Sequence, residues 1–111
     1  MLQDAHTKKI SLPVNTSLTG GDIIVAGDPT RWIYIHEIIG NFVGSDDELI
    51  IQSGSTPLAN FDLADGQGLT EQDEPGEDNR PRFECPPGQD FILNSVGGTP
   101  FVGAVHYSFR Y

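Results

Sequence analysis

The chain has 111 residues, which fits one domain, and it carries 16 acidic residues against 6 Lys plus Arg for a formal charge of −10. This balance argues against nucleic acid and anionic membranes as partners, because both attract positively charged proteins. Residues 41–80 hold ten of the acidic residues and only Arg80 as a base. We expect this acidic third to face water and the near-neutral outer thirds to pack against a neighbour.

Cysteine and hydropathy patterns limit the class of protein further. Cys85 is the one cysteine, so no internal disulfide is possible. Residues 1–9 lack an apolar stretch, so we expect no signal peptide and synthesis in the cytosol. No apolar run approaches the roughly 18 residues of a membrane span.

The chain begins with a polar segment, and the first strands follow it. Residues 1–7 are predicted to form a flexible arm, and residues 8–111 a single β-sandwich domain. Residues 8–14 form a weak strand that contains Pro13, which places it at an edge or a strand end. A Gly-Gly turn then leads into a second apolar run at residues 22–26.

Residues 31–42 (RWIYIHEIIGNF) give the strongest strand signal, because they are rich in β-branched and aromatic side chains. Strict alternation divides them between two faces: Trp32, Tyr34, His36 and Ile38 on one, and Ile33, Ile35, Glu37 and Ile39 on the other. Both faces are largely apolar at the start. We therefore predict a central strand whose outer side is covered by another subunit, in a homotrimer.

Residues 46–63 (DDELIIQSGSTPLANFDL) are predicted to form a hairpin around a Ser-Gly-Ser-Thr-Pro turn. Residues 64–79 follow, with three glycines, one proline and a heavy acidic load, and they are predicted to be a long exposed loop. This loop includes the acidic segment Glu71–Asp78.

Three further strands complete the chain, at residues 80–85, 90–96 and 101–111. The last of them alternates clearly, with Phe101, Val105, Tyr107, Phe109 and Tyr111 on one face and Val102, Ala104, His106, Ser108 and Arg110 on the other. No stretch has helical periodicity. The fold prediction is therefore all-β, an antiparallel β-sandwich of about eight strands that is jelly-roll-like.

Residues capable of chemistry are few and scattered. His6, His36 and His106 do not have metal-ligand spacing, although His36 and His106 fall mid-strand and could be neighbours across a sheet. The acidic runs could supply calcium ligands, but the EF-hand spacing is absent. No nucleophile motif is present. We predict that the protein is not an enzyme, has no catalytic or metal site, and needs no cofactor.

The order of motifs resembles a known family. Gln52–Leu58 reads QSGSTPL, a Gly-rich segment DGQG follows, Phe91–Ser95 reads FILNS, and Val102–Tyr107 reads VGAVHY. This pattern is similar to that of small β-sandwich head decoration, or cement, proteins of tailed bacteriophages. The resemblance covers roughly residues 31–108, and its motifs are structural.

The resemblance implies a virion structural protein, often trimeric, that binds the outer surface of the assembled major capsid protein lattice and stabilises the head. From the sequence we assign the contacts with neighbours to these residues: Leu2, His6, Lys8, Lys9, Arg31, Trp32 and Tyr34. Two alternatives remain open: a receptor- or glycan-binding head of a tail fibre or spike, and a cellular β-sandwich module.

Overall fold

Nine β-strands make up the fold in the computed structural model, which describes residues 9–73 and 81–111. They are β1 (Ile10–Thr16), β2 (Asp22–Val25), β3 (Trp32–Phe42), β4 (Asp47–Ser53), β5 (Thr56–Leu63), β6 (Leu69–Gln72), β7 (Phe83–Cys85), β8 (Phe91–Ser95) and β9 (Phe101–Arg110). The described residues contain no helix, and the all-β prediction is confirmed. The predicted arm at residues 1–7 lies outside the described residues.

The strands form two antiparallel sheets that pack as a sandwich. The larger sheet has the order β1-β9-β3-β6, with β7 also paired to β3, and the smaller sheet has the order β2-β8-β4-β5. Consecutive strands mostly cross from one sheet to the other, and the first and last strands lie side by side. This is a jelly-roll arrangement, as the sequence predicted.

Two short strands, β6 and β7, together occupy the place of one strand beside β3 in the larger sheet. β6 pairs with residues 37–40 of β3, and β7 pairs with residues 33–35, both in the antiparallel sense. The two short strands therefore extend along one line, which explains nine strands where about eight were predicted. The predicted loop at residues 64–79 thus contains β6, whose Leu69 is buried. Residues 74–79 of that loop lie outside the described residues.

The core lies between the sheets and is filled by aliphatic and aromatic side chains. Its fully buried members include Ile33, Ile35, Leu49, Ile51, Phe91, Leu93 and Val105. Phe42 and Phe101 are paired across β3 and β9, and their rings meet edge to face with centroids 5.5 Å apart. Burial of these side chains is the main stabilising term of the fold.

A β-bulge at His36 changes which side chains of β3 reach the core. The β3–β9 register passes from Ile35 opposite Tyr107 to Glu37 opposite His106, so His36 has no partner on β9. The alternation therefore shifts by one residue. Ile38 is fully buried, Ile39 is exposed, and Glu37 lies opposite His106 on the outer face, so the predicted assignment of these three residues to faces was wrong.

The predicted hairpin at residues 46–63 is confirmed as β4 and β5. Ser53 lies opposite Thr56, and Gly54 and Ser55 make the turn between them. Gly54 has a φ of 58°, a left-handed conformation that glycine adopts without steric cost. Among the described residues, no helix is long and apolar enough to cross a membrane.

Candidate functional site

The outer face of the larger sheet, turned away from the core, carries a row of aromatic and cationic side chains at its Trp32 end, of which Trp32 is exposed and the other two are half-buried. Trp32 lies directly opposite Arg110 in the β3–β9 register, and Tyr34 follows two residues later on the same face. The Arg110 guanidinium lies 5.2 Å from the centre of the Tyr34 ring, within range of a cation–π contact. We call these three residues the Trp32–Tyr34–Arg110 row.

The cations of the described residues are all attached to the larger sheet. Lys9, Arg31 and Arg82 directly precede β1, β3 and β7, and Arg110 ends β9. Arg31 forms a two-point contact with Asp28, with Nη2 2.8 Å and Nε 3.1 Å from Oδ2. The side-chain hydrogen bond from Arg31 and the backbone N–H of Thr30 lower the pKa of Asp28 to about 2.

Four of the predicted contact residues are brought to the same half of this sheet. Trp32 is 37% exposed and Tyr34 is half-buried. Arg31 stacks on the Phe109 ring at 4.4 Å, and Lys9 lies 3.7 Å from Asp73 on the outer face. Leu2, His6 and Lys8 lie outside the described residues. Arg110, which the sequence analysis placed on the wetter face of β9 without a role, completes the row.

A recess of about 240 Å³ lies beside the row, lined by Lys9, His36, Glu37, Gln72, Asp73 and His106. The bulge places the His36 ring here, with Nδ1 2.9 Å from Oδ2 of Asp73 and Nε2 2.7 Å from Oγ of Ser108. His106 Nδ1 lies 3.2 Å from Oε1 of Glu37. The two mid-strand histidines therefore line one recess, as their positions suggested.

Hydrogen bonds link Asp73 to His36 and His36 to Ser108, which is the order of acid, histidine and serine in the triad of serine hydrolases. A nucleophile must reach its substrate, however, and Ser108 is 1% exposed beneath the His36 ring. Ser108 is also an ordinary strand residue paired with Tyr34, so it lacks the sharp turn that presents a nucleophilic serine. The chain of hydrogen bonds thus holds the bulge to the first residue after β6, and it offers no open nucleophile.

The burial of His36 makes stability depend on pH. Burial lowers the pKa of His36, the hydrogen bond to Asp73 opposes that effect, and the charges of Lys9 and Arg110 lower the pKa further. Because the unfolded chain then takes up the proton more readily than the folded one, the full stability is present above a pH of about 6.5 and is lost as pH falls.

We therefore expect the free energy of unfolding to fall between about pH 7 and about pH 5, and His36→Gln to reduce that slope. Urea denaturation at a series of pH values measures how the free energy of unfolding changes with pH. His106→Gln is the matched control, since it removes a histidine from the same recess and leaves His36 in place. An identical slope in wild type and His36→Gln would show that this histidine does not cause the dependence.

The acidic side chains at the far end of the sandwich hold loops in place. Asp47 accepts hydrogen bonds from the backbone N–H groups of Gly97, Thr99 and Glu48. Burial alone would raise the pKa of Asp47, but these N–H donors outweigh it and the pKa is lowered. In residues 9–73 and 81–111, no group of three or more His, Cys, Asp or Glu side chains is arranged to hold a metal ion.

Cys85 is fully buried in β7. Burial raises the pKa of its thiol, against a hydrogen bond from Ser53 that lowers it. The thiolate is the reactive form of cysteine, so Cys85 is a packing residue in the folded chain.

Comparisons with known proteins give a likeness of fold. No protein-family model and no curated protein matches this chain. A chain in the solved structure of Bacillus endospore appendages, described as disulfide-linked pili, matches with a TM-score of 0.52 and 16% sequence identity. The match covers 100% of this chain and 96% of that chain. At this identity the likeness concerns the fold, and it extends over the whole jelly roll.

Several residues of the site were not found from the sequence. The contacts of His36 with Asp73 and Ser108 join positions 37 and 72 residues apart along the chain. The one available signal was the alternation of side chains along β9, which grouped His106, Ser108 and Arg110 on one face. Without the register between β3 and β9, the sequence does not show that these residues lie beside Trp32 and Tyr34.

Proposed function

We propose that this protein is a structural protein of a bacteriophage virion, a head decoration protein that binds the outer surface of the assembled major capsid protein lattice. The motif resemblance supports this: QSGSTPL spans the β4–β5 turn, FILNS is β8, and VGAVHY lies in β9. The observation that carries the proposal is the Trp32–Tyr34–Arg110 row. It presents the three residue types most enriched at binding hot spots on the outer face of the larger sheet, with Trp32 exposed and Tyr34 and Arg110 half-buried.

Binding of this kind stabilises a shell by mass action. A protein that binds only the assembled lattice lowers the free energy of that lattice relative to its free subunits. Several such contacts in one oligomer add avidity, since the second contact forms within an already bound molecule. A homotrimer on the outer capsid surface, made in the host cytoplasm, would act in this way.

The proposed contacts are Arg31, Trp32 and Tyr34, together with Lys9 and the N-terminal residues Leu2, His6 and Lys8. The formal charge of −10 disfavours nucleic acid or an anionic membrane as the partner. The inaccessible hydroxyl of Ser108 supports a role without catalysis.

The test mixes purified protein with phage heads that lack it and measures the bound fraction by co-sedimentation. We expect saturable binding, and Trp32→Ala should weaken it by about tenfold to a hundredfold, because a buried aromatic anchor contributes roughly 1–3 kcal/mol. Leu58→Ala is the matched control, since Leu58 is equally exposed, at 37%, on β5 of the other sheet.

Three outcomes separate the candidates. Absence of binding at saturating concentration would contradict the decoration role. Binding to host cells without heads would instead support the receptor- or glycan-binding alternative. Equal losses in Trp32→Ala and Leu58→Ala would retain head binding but move the contact away from the row.

A second candidate is a subunit of a fibre, suggested by the fold likeness to the chain from the endospore pili. Those pili are disulfide-linked, whereas the one cysteine of this chain is buried in the core. A fibre of this protein would therefore be held without disulfides. Electron microscopy of concentrated protein, with and without reductant, tests this: filaments that survive reduction would favour the fibre.

A further inference from the structure

Arg110 is the exception among the cations of an acid-rich chain. Lys9, Arg31 and Arg82 each lie near a carboxylate oxygen, at 3.7, 2.8 and 2.7 Å. Arg110 has no carboxylate within ion-pair distance among residues 9–73 and 81–111, and it stacks on Tyr34 instead. Glu84 lies opposite Tyr34 on β7, so Tyr34 separates it from β9.

The outer face of the smaller sheet carries two carboxylates that have no cationic partner among the described residues. Glu48 and Asp62 lie directly opposite each other on β4 and β5, and like charges in that position are destabilising. Asn60 Nδ2 donates a hydrogen bond to Glu48 Oε2 at 2.6 Å. In the described part of the chain, no Lys or Arg lies within ion-pair distance of either carboxylate.

We propose that copies of this chain associate through these two surfaces, with Arg110 of one copy placed between Glu48 and Asp62 of the next. Trp32 and Tyr34 would pack beside this ion pair on the half-buried Ile50, which lies opposite Asn60 on the same outer face. The contact relieves the like-charge pair in one copy and gives a carboxylate partner to the guanidinium of the other.

The symmetry of this contact is heterologous, because each copy contributes a different surface. Such a contact repeats from copy to copy and generates either a closed ring or an open chain. The outer faces of the two sheets point in opposite directions, so repetition of this contact stacks copies into an open chain and does not form the closed three-fold ring of the proposed homotrimer. The inference thus goes beyond head binding and the proposed homotrimer to an open-chain assembly, the arrangement that the fibre candidate requires.

The expected affinity is modest. Exposed ion pairs contribute about 0–1 kcal/mol each, and the aromatic packing adds to this. We expect a dissociation constant on the order of 100 μM, which sedimentation velocity resolves. Measurement at about 0.15 M salt limits the long-range repulsion between copies of a chain with this net charge.

A charge exchange tests the contact. Arg110→Glu and the double variant Glu48→Arg/Asp62→Arg should each weaken self-association at least about tenfold. An equimolar mixture of the two should regain it, because each variant then meets a surface of opposite charge. The double variant lowers the net negative charge, so overall repulsion cannot explain its loss. Lys9→Glu, which changes the net charge as Arg110→Glu does, is the control and should associate like wild type.

Loss in both variants with recovery in the mixture would establish the contact. The proposal is overturned if wild type stays monomeric up to about 1 mM, if either variant associates like wild type, or if the mixture stays monomeric. Should the double variant fail to fold by circular dichroism, Asp62→Lys at its exposed position replaces it in the mixture. Because the Trp32–Tyr34–Arg110 row also carries the proposed head contact, head binding is measured below about 10 μM, where self-association is weak, so that each proposal is decided by its own assay.

Discussion

Gly103→Ala is expected to destabilise the fold by about 3 kcal/mol or more, because it forces apart the two central strands of the larger sheet. Gly103 lies opposite Gly40 on the core side of β9 and β3. A Cβ at Gly103 would overlap the carbonyl oxygen of Ile39 and lie 2.6 Å from Cα of Gly40. Both atoms belong to the backbone, so no side-chain rotation relieves the clash.

Gly68→Ala is the matched control for this substitution. Gly68 precedes β6 and does not adopt a positive φ, and a Cβ added there would meet no heavy atom within 4 Å. We expect a change between zero and a stabilisation of about 0.5 kcal/mol, since alanine restricts the unfolded chain. Urea denaturation of both variants gives the comparison, and a Gly103→Ala variant as stable as Gly68→Ala would refute the close-approach argument.

Leu18→Ala is expected to cost about 3 kcal/mol, the usual size for a buried leucine. Leu18 has an unusual backbone, with φ at 57°, while its side chain is fully buried. Its carbonyl accepts hydrogen bonds from the N–H groups of Gly21 and Ser95 at 3.1 and 3.2 Å, which hold this conformation. The left-handed region costs roughly 1–2 kcal/mol for a residue with a Cβ, and glycine avoids that cost.

The left-handed backbone of Leu18 also predicts that glycine and alanine substitutions rank differently here than in a regular strand. At Leu18, replacement by glycine should cost no more than replacement by alanine, because glycine relieves the strain. Leu49 is the matched control: it is equally buried but lies in regular β4, where glycine should cost about 0.5–1 kcal/mol more than alanine. The free energies of unfolding of the alanine and glycine variants at Leu18 and Leu49 test this prediction. An equal additional loss of stability for glycine relative to alanine at both sites would contradict a strained Leu18.

Most of the fold could be predicted because its signals are local. Alternating apolar residues and turn residues between them mark β3, β9 and the β4–β5 hairpin directly. β6 was missed for the same reason, since a strand of four residues with one apolar side chain, Leu69, has no period to detect. Only pairing with β3 makes it a strand.

After His36, the side chains of β3 were assigned to the wrong faces, because strict alternation assumes strand pairing without a bulge. One extra residue in the strand moves Ile38 into the core and Ile39 to the surface. The bulge depends on hydrogen bonds to residues remote in sequence, above all from His36 to Asp73 and Ser108. No local pattern in residues 31–42 signals it.

The amino-acid sequence by itself determined the all-β class, the jelly-roll-like sandwich and the placement of Trp32 and Tyr34 on one face, because strand periodicity and turn chemistry act over a few residues. The tertiary structure alone decided that Arg110 joins Trp32 and Tyr34, that His36 closes over Ser108, and that Glu48 faces Asp62. The reason is physical: these neighbours are created by the register between strands, and the burial of the whole core sets that register.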